Sequence, residues 1–164
     1  MLLRVQLVPE RRQAILRETL SNAPDLTEVA LALTNNLGPD DADVLVKSFQ
    51  AVDQYRQHNL AERIKTFAGK ASGIDLALIR RLVGTLSDPP TGSASTHFDL
   101  ATTLCDLAGA ANTVGGRALI SNDMIRAATP IHYKGNLTDA ENAHNANLPQ
   151  AMQALKAELL AATQ

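Results

Sequence analysis

The sequence predicts an all-α fold, a compact bundle of about seven or eight helices. The 164-residue chain has 26 alanines and 24 leucines, but only eight valines and seven isoleucines. Alanine and leucine have high helix propensities, whereas strands favour β-branched and aromatic side chains, and aromatic residues make up only 3% of this chain. We therefore expect a single helical domain that spans residues 1–164.

The first forty residues predict an extended arm followed by two helices. Apolar and polar residues alternate over residues 3–7, which is compatible with a short strand, but a lone strand leaves its edges unpaired. An ordered arm is therefore expected there. Pro9 is placed to open the first helix, and Asp25 and Glu28 have the spacing of a capping box at the start of the second. A third helix is expected after Pro39, with acidic residues in its first turn.

Two further capping-box spacings lie in the middle of the chain. Asn59 with Glu62 predicts a short helix that reaches Phe67, and Ser72 with Asp75 predicts a helix with a regular apolar stripe. Proline, glycine and serine then cluster in residues 87–95, which predicts a mobile surface loop.

Capping residues and runs of small residues predict the remaining helices. A helix that starts after Thr96 and is ended by Gly115-Gly116 is rich in alanine and glycine, so we expect it to be central and tightly packed. Another is predicted over about residues 117–128, with a break at Ser121. Thr138 begins the last capping box, and a final helix is expected to run to about Ala162.

Several classes of protein do not fit this composition. No apolar stretch approaches the ~20 residues that span a bilayer, and the first residues contain no adequate secretory h-region. The single cysteine, Cys105, has no second cysteine with which to form a disulfide or a metal-binding pair. We therefore expect it to pack as a small apolar side chain inside a helix. We therefore expect a cytoplasmic protein.

No motif in the sequence indicates a catalytic centre. Glu141 and His144 have a ligand-like i, i+3 spacing, but the motif occurs once and Glu141 already belongs to a predicted capping box. The sequence has no nucleophile elbow, phosphate-binding loop or dinucleotide fingerprint. No catalytic, cofactor-binding or metal-binding residue is therefore assigned. An enzyme or small-ligand binder with a site between helices is the third interpretation.

The distribution of charge suggests a second interpretation. Residues 44–81 contain seven basic and three acidic residues, a net charge of +4, whereas the whole chain has a net charge of −2. A basic segment is able to bind the phosphates of a nucleic acid. Solvated helix surface explains the same pattern. The candidate residues are Arg56, Arg63, Lys65, Lys70, Arg80 and Arg81.

The leading hypothesis is protein–protein association. Abundant alanine and leucine helical surface, without a catalytic motif, favours a non-enzymatic structural or adaptor subunit of an oligomer. Its partners would be copies of itself or other subunits. Nucleic-acid binding through the basic segment is the alternative.

Overall fold

A computed structural model of the chain describes residues 41–88, 97–132 and 135–164, together with Arg11, Ala14, Ile15 and Glu18. Every regular element in these ranges is helical, which confirms the all-α class. The expected N-terminal arm, the second helix and residues 89–95 of the predicted loop lie outside the described residues. None of the described helices is long and apolar enough to cross a membrane.

Seven helices are resolved in order along the described part of the chain. They are α1 (Ala42–Ala51), α2 (Gln54–Phe67), α3 (Leu76–Thr85), α4 (Phe98–Gly115), α5 (Asn122–Ala127), α6 (Asp139–Ala146) and α7 (Leu148–Ala162).

Two of the predicted helix starts are wrong. Helix α2 begins five residues before Asn59, because the carboxylate of Asp53 accepts a hydrogen bond from the backbone N–H of Arg56 at 2.9 Å. Helix α3 likewise begins after Asp75, which acts as the N-cap itself rather than as the partner of Ser72. In both cases an aspartate satisfies a backbone donor that the first turn leaves unpaired.

Other predicted boundaries are confirmed. Thr138 and Glu141 form a complete capping box at the start of α6. Gly116 ends α4 in the left-handed conformation, with a φ of 64°, which glycine adopts without steric cost. The helix predicted over about residues 117–128, by contrast, is wrong in its first part: residues 117–121 are not helical, and Ser121 is the N-cap of the six-residue α5.

Helix α4 is the centre of the described fold, as its small residues predicted. It contacts α2, α3 and α7, and half of its eighteen residues are buried on several sides of the helix. The alanines among them are fully inaccessible to solvent; they are Ala101, Ala108, Ala110 and Ala111.

Helices α2 and α4 pack in parallel, and theirs is the most extensive helix–helix contact in the described part. His58 lies opposite Asp99, and Lys65 lies opposite Asp106, so both partners advance by seven residues in the same direction. The stem of Lys65 lies over Gly109, where a Cβ atom would be 3.0 Å from Cε of the lysine. Two neighbouring parallel helices need a long connection, which α3 provides.

Two asparagine side chains hydrogen-bond to the backbone of the loops between helices. The amide of Asn112 accepts a hydrogen bond from the N–H of Ile120 at 2.8 Å and donates one to its carbonyl oxygen at 2.9 Å. Asn145 makes the same pair of bonds with Ile131, at 3.0 and 2.8 Å. Both links therefore have their backbone groups satisfied by a helix side chain.

We expect Leu104→Ala and Leu82→Ala each to lower the free energy of unfolding by about 2–5 kcal/mol, because each leaves a cavity in a packed core. Both leucines are 0% exposed, on α4 and α3. Urea denaturation followed by circular dichroism measures the change. Unfolding midpoints equal to that of the wild type would contradict this assignment of the core.

Candidate functional site

The candidate site is a line of ionisable side chains at the contact of α2 and α4, here called the polar seam. It consists of His58, Glu62 and Lys65 on α2 and Asp99 and Asp106 on α4. Nδ1 of His58 lies 3.5 Å from Oδ1 of Asp99, and Nζ of Lys65 lies 3.4 Å from Oδ1 of Asp106. A residue whose pKa is perturbed by burial beside a charged partner is a candidate functional residue, although structural ion pairs show the same property.

Asp106 is the most perturbed carboxylate of the polar seam. Burial raises its pKa, because its side chain is only 13% exposed and desolvation disfavours the charged form. Lys65 opposes this effect through its charge and its hydrogen bond, His58 opposes it more weakly, and Glu62 reinforces it. The fold thus holds a carboxylate in a place that disfavours its ionised form.

His58 is the second unusual group. Its Nδ1 atom is buried and makes no hydrogen bond, although a carboxylate oxygen of Asp99 lies within ion-pair distance. The geometry is that of an electrostatic contact rather than a directed hydrogen bond. The imidazole is therefore held beside a carboxylate with a ring nitrogen left unsatisfied.

The six predicted nucleic-acid-binding residues are all exposed, and three of them make ion pairs. Arg56 pairs with Asp53 at 3.4 Å, and Lys65 with Asp106. Arg81 donates to Asp43 on α1 at 2.7 Å. The residues without an ion pair to a described residue are Arg63, Lys70 and Arg80.

These basic residues are also divided between surfaces. Arg56 and Arg63 are seven positions apart and lie on one flank of α2, whereas Lys65 lies on the flank that meets α4. Arg80 and Arg81 belong to α3. Nucleic-acid binding by this set stays a prediction.

The outer face of α7 has little charge: among the exposed positions of this helix only Glu158 is ionisable. The only cation of α7, Lys156, is turned away and donates to Leu86 O and Asp88 Oδ1, both at 3.0 Å. At 100° per residue, the exposed positions nearest the midline of this face are Gln150, Ala154, Ala157 and Ala161. Gln153 and Glu158 lie on its two sides. The central row is here called the uncharged face of α7.

A shallow cavity of about 360 Å³ adjoins this face at the start of α7. Ala127, His144, Asn147, Gln150 and Ala151 line it. Nε2 of His144 lies 2.7 Å from the carbonyl oxygen of Thr129, which requires the proton to be on Nε2. Within the described residues, no group of three or more histidine, cysteine, aspartate or glutamate side chains is placed to hold a metal ion.

No family model, no curated protein and no solved structure matches this chain.

Sequence reasoning missed both the polar seam and the uncharged face of α7. The seam has a signal in retrospect: His58 and Lys65 are seven residues apart, and so are Asp99 and Asp106. In the sequence, alanine and glutamine mark the exposed side of the last helix. This pattern becomes apparent only when the buried side of that helix is known.

Cys105 gives a prediction about thiol reactivity. Burial raises the pKa of its thiol from the ordinary 9.0 to about 11, although a hydrogen bond with Thr129 lowers it. At pH 8 this reduces the reactive thiolate about a hundredfold. We expect a thiol reagent to label the native protein slowly and the urea-unfolded protein quickly, as measured by mass spectrometry. An exposed Ala157→Cys in a Cys105→Ser background is the fast control; equal rates would contradict the burial.

We expect Asp106→Asn to stabilise the protein at pH 7, because it removes a buried charge, but by no more than about 1 kcal/mol, because it also removes the ion pair with Lys65, worth about 0–1 kcal/mol. The raised pKa means that the folded state binds a proton more tightly than the unfolded state. The stability this contributes is present below the ordinary aspartate pKa and is lost as the pH rises through the raised value. Asparagine resembles the protonated carboxyl at every pH, so the variant keeps this stability as the pH rises.

The measurement for Asp106→Asn is urea denaturation at pH 4 and pH 7. The variant and the wild type should differ more at pH 7 than at pH 4. The control is Asp123→Asn, whose carboxylate is 93% exposed on α5 and should change stability little at either pH. A less stable Asp106→Asn variant at pH 7 would show that the ion pair with Lys65 outweighs the burial.

Proposed function

We propose that the protein acts by association, as a non-enzymatic structural or adaptor subunit, and that the outer face of α7 binds a second copy of the chain. The observation that carries this proposal is the uncharged face of α7. Ordinary exposed helix surface carries lysine and glutamate, whereas the cores of protein interfaces are depleted in charged residues. Interfaces are poor in alanine as well, so the support comes from the lack of charge and not from the apolar composition of the face. Glu158 lies at the rim of this face, where interfaces are usually polar.

Self-pairing is favoured because the face is electrically neutral. A two-fold interface brings the same patch of both copies together, so a charged patch would repel itself. On α2 that repulsion would come from Arg56 and Arg63. On α7 the small side chains of Ala154 and Ala157 allow close approach of a second helix, and the glutamine amides are able to hydrogen-bond to each other.

The size of the face sets the expected strength of association. A helix of 15 residues is about 22 Å long, so two such faces bury much less than the ~1,600 Å² of a standard interface, even if α6 contributes. We therefore expect a weak, concentration-dependent dimer with a Kd in the micromolar range or above, rather than a permanent one.

Sedimentation equilibrium over about 5–500 μM tests the proposal, a range chosen to bracket the affinity of small interfaces. Wild-type protein should show a dimer at the upper concentrations. Ala157→Glu should weaken dimerisation at least about tenfold, because it places two like charges near the two-fold axis. The matched control is Ala77→Glu, the same change at an exposed helix position of α3, which should leave association unchanged.

Two results would overturn this proposal. One is a wild-type protein that stays monomeric at the highest concentration. The other is a dimer that Ala157→Glu and Ala77→Glu affect equally. Both variants should keep the helical circular dichroism spectrum of the wild type, since each alanine is exposed and glutamate is a good helix former.

A further inference from the structure

The cavity at the start of α7 and the ionisable residue at the side of its uncharged face lie on the same flank of the helix. Ala151, which lines the cavity, and Glu158 are seven residues apart, so they are separated by two turns and point to nearly the same side. The rise between them is about 10 Å, which is longer than a glutamate side chain. Glu158 therefore does not fill the cavity of its own chain.

The cavity offers hydrogen-bond donors. Asn147 caps α7 without a side-chain hydrogen bond, and the side-chain amide of Gln150 makes none to a described residue. Nε2 of His144 is already engaged with the carbonyl oxygen of Thr129. An ionised carboxylate only accepts hydrogen bonds, and a bond with one ionised partner is stronger than a bond between neutral groups. The two amides therefore suit a carboxylate.

Two-fold symmetry decides which residue of a second copy meets this cavity. When two α7 helices pair antiparallel, the flank with Glu158 meets the same flank of the second copy; when they pair in parallel, it meets the flank with Gln153. The midpoint between Ala151 and Glu158 lies at the level of Ala154, in the uncharged face. An axis at that level places Glu158 of each copy beside the cavity of the other.

We propose that two copies pair through antiparallel α7 helices, with Glu158 of each copy in the cavity of the other, where Asn147 and Gln150 donate hydrogen bonds to its carboxylate. The inference rests on the proposed association through α7, and it adds the orientation of the helices and the residue that fills the cavity. The two-fold axis repeats the contact, so it occurs twice in each dimer. Both contacts enlarge an interface that one helix alone leaves small.

Sedimentation equilibrium of Glu158→Ala, Gln150→Ala and the double variant tests the contact. Each single change should weaken dimerisation about three- to tenfold, because symmetry removes the contact twice. The double variant should be little weaker than either single variant, since both changes remove the same contact. The control is Asp43→Ala, which removes an exposed carboxylate from α1 and should leave association unchanged.

Disulfide formation in a Cys105→Ser background tests the orientation of the two helices. Ala154→Cys lies at the expected axis and should cross-link two copies. Ala161→Cys should not, because an antiparallel pair holds the two equivalent positions about 20 Å apart along the helices. A parallel pair would cross-link at both positions.

The outcomes separate this inference from the association itself. A wild-type protein that stays monomeric overturns both. Three results overturn the antiparallel contact alone, in a dimer that Ala157→Glu still weakens: no effect of Glu158→Ala, fully additive free-energy changes in the double variant, or efficient cross-linking of Ala161→Cys.

Discussion

The close approach of α2 to α4 is the constraint on which the rest of the described fold depends. Gly109 leaves room for the stem of Lys65, and the alanines of α4 let helices pack on several of its sides at once. A larger side chain at position 109 would require the half-exposed Lys65 side chain to move aside. The parallel arrangement then requires α3 to connect the two helices and to cover another side of α4.

The same close approach explains the unusual electrostatics. Helices that pack tightly withdraw the side chains at the edge of their contact from water, and at this edge the sequence places acids and a histidine. Burial therefore acts on Asp106 more strongly than its lysine partner does. A fold that needed only stability would be served by an uncharged residue at this position, because burying a carboxylate costs free energy.

The outer surfaces of α2 and α7 differ in charge. Helix α2 presents Arg56 and Arg63, whereas the outer face of α7 presents alanine and glutamine because Lys156 turns back towards Leu86 and Asp88. Charged surface stays hydrated and resists pairing with itself, whereas neutral surface of small side chains does not. This contrast directs the proposed self-association to α7 rather than to the basic segment.

The sequence by itself determined the helical class, the central position of α4, the capping box at Thr138 and the helix end at Gly116, because these depend on propensity and on contacts within a few residues. It misplaced the start of α2, where a nearer cap at Asp53 prevailed. Only the tertiary structure decided that His58 meets Asp99, 41 residues away, and that Lys156 leaves the outer face of α7. Helical periodicity tells which side chains share a face, but it carries no information about which faces meet, and burial and charge depend on that meeting.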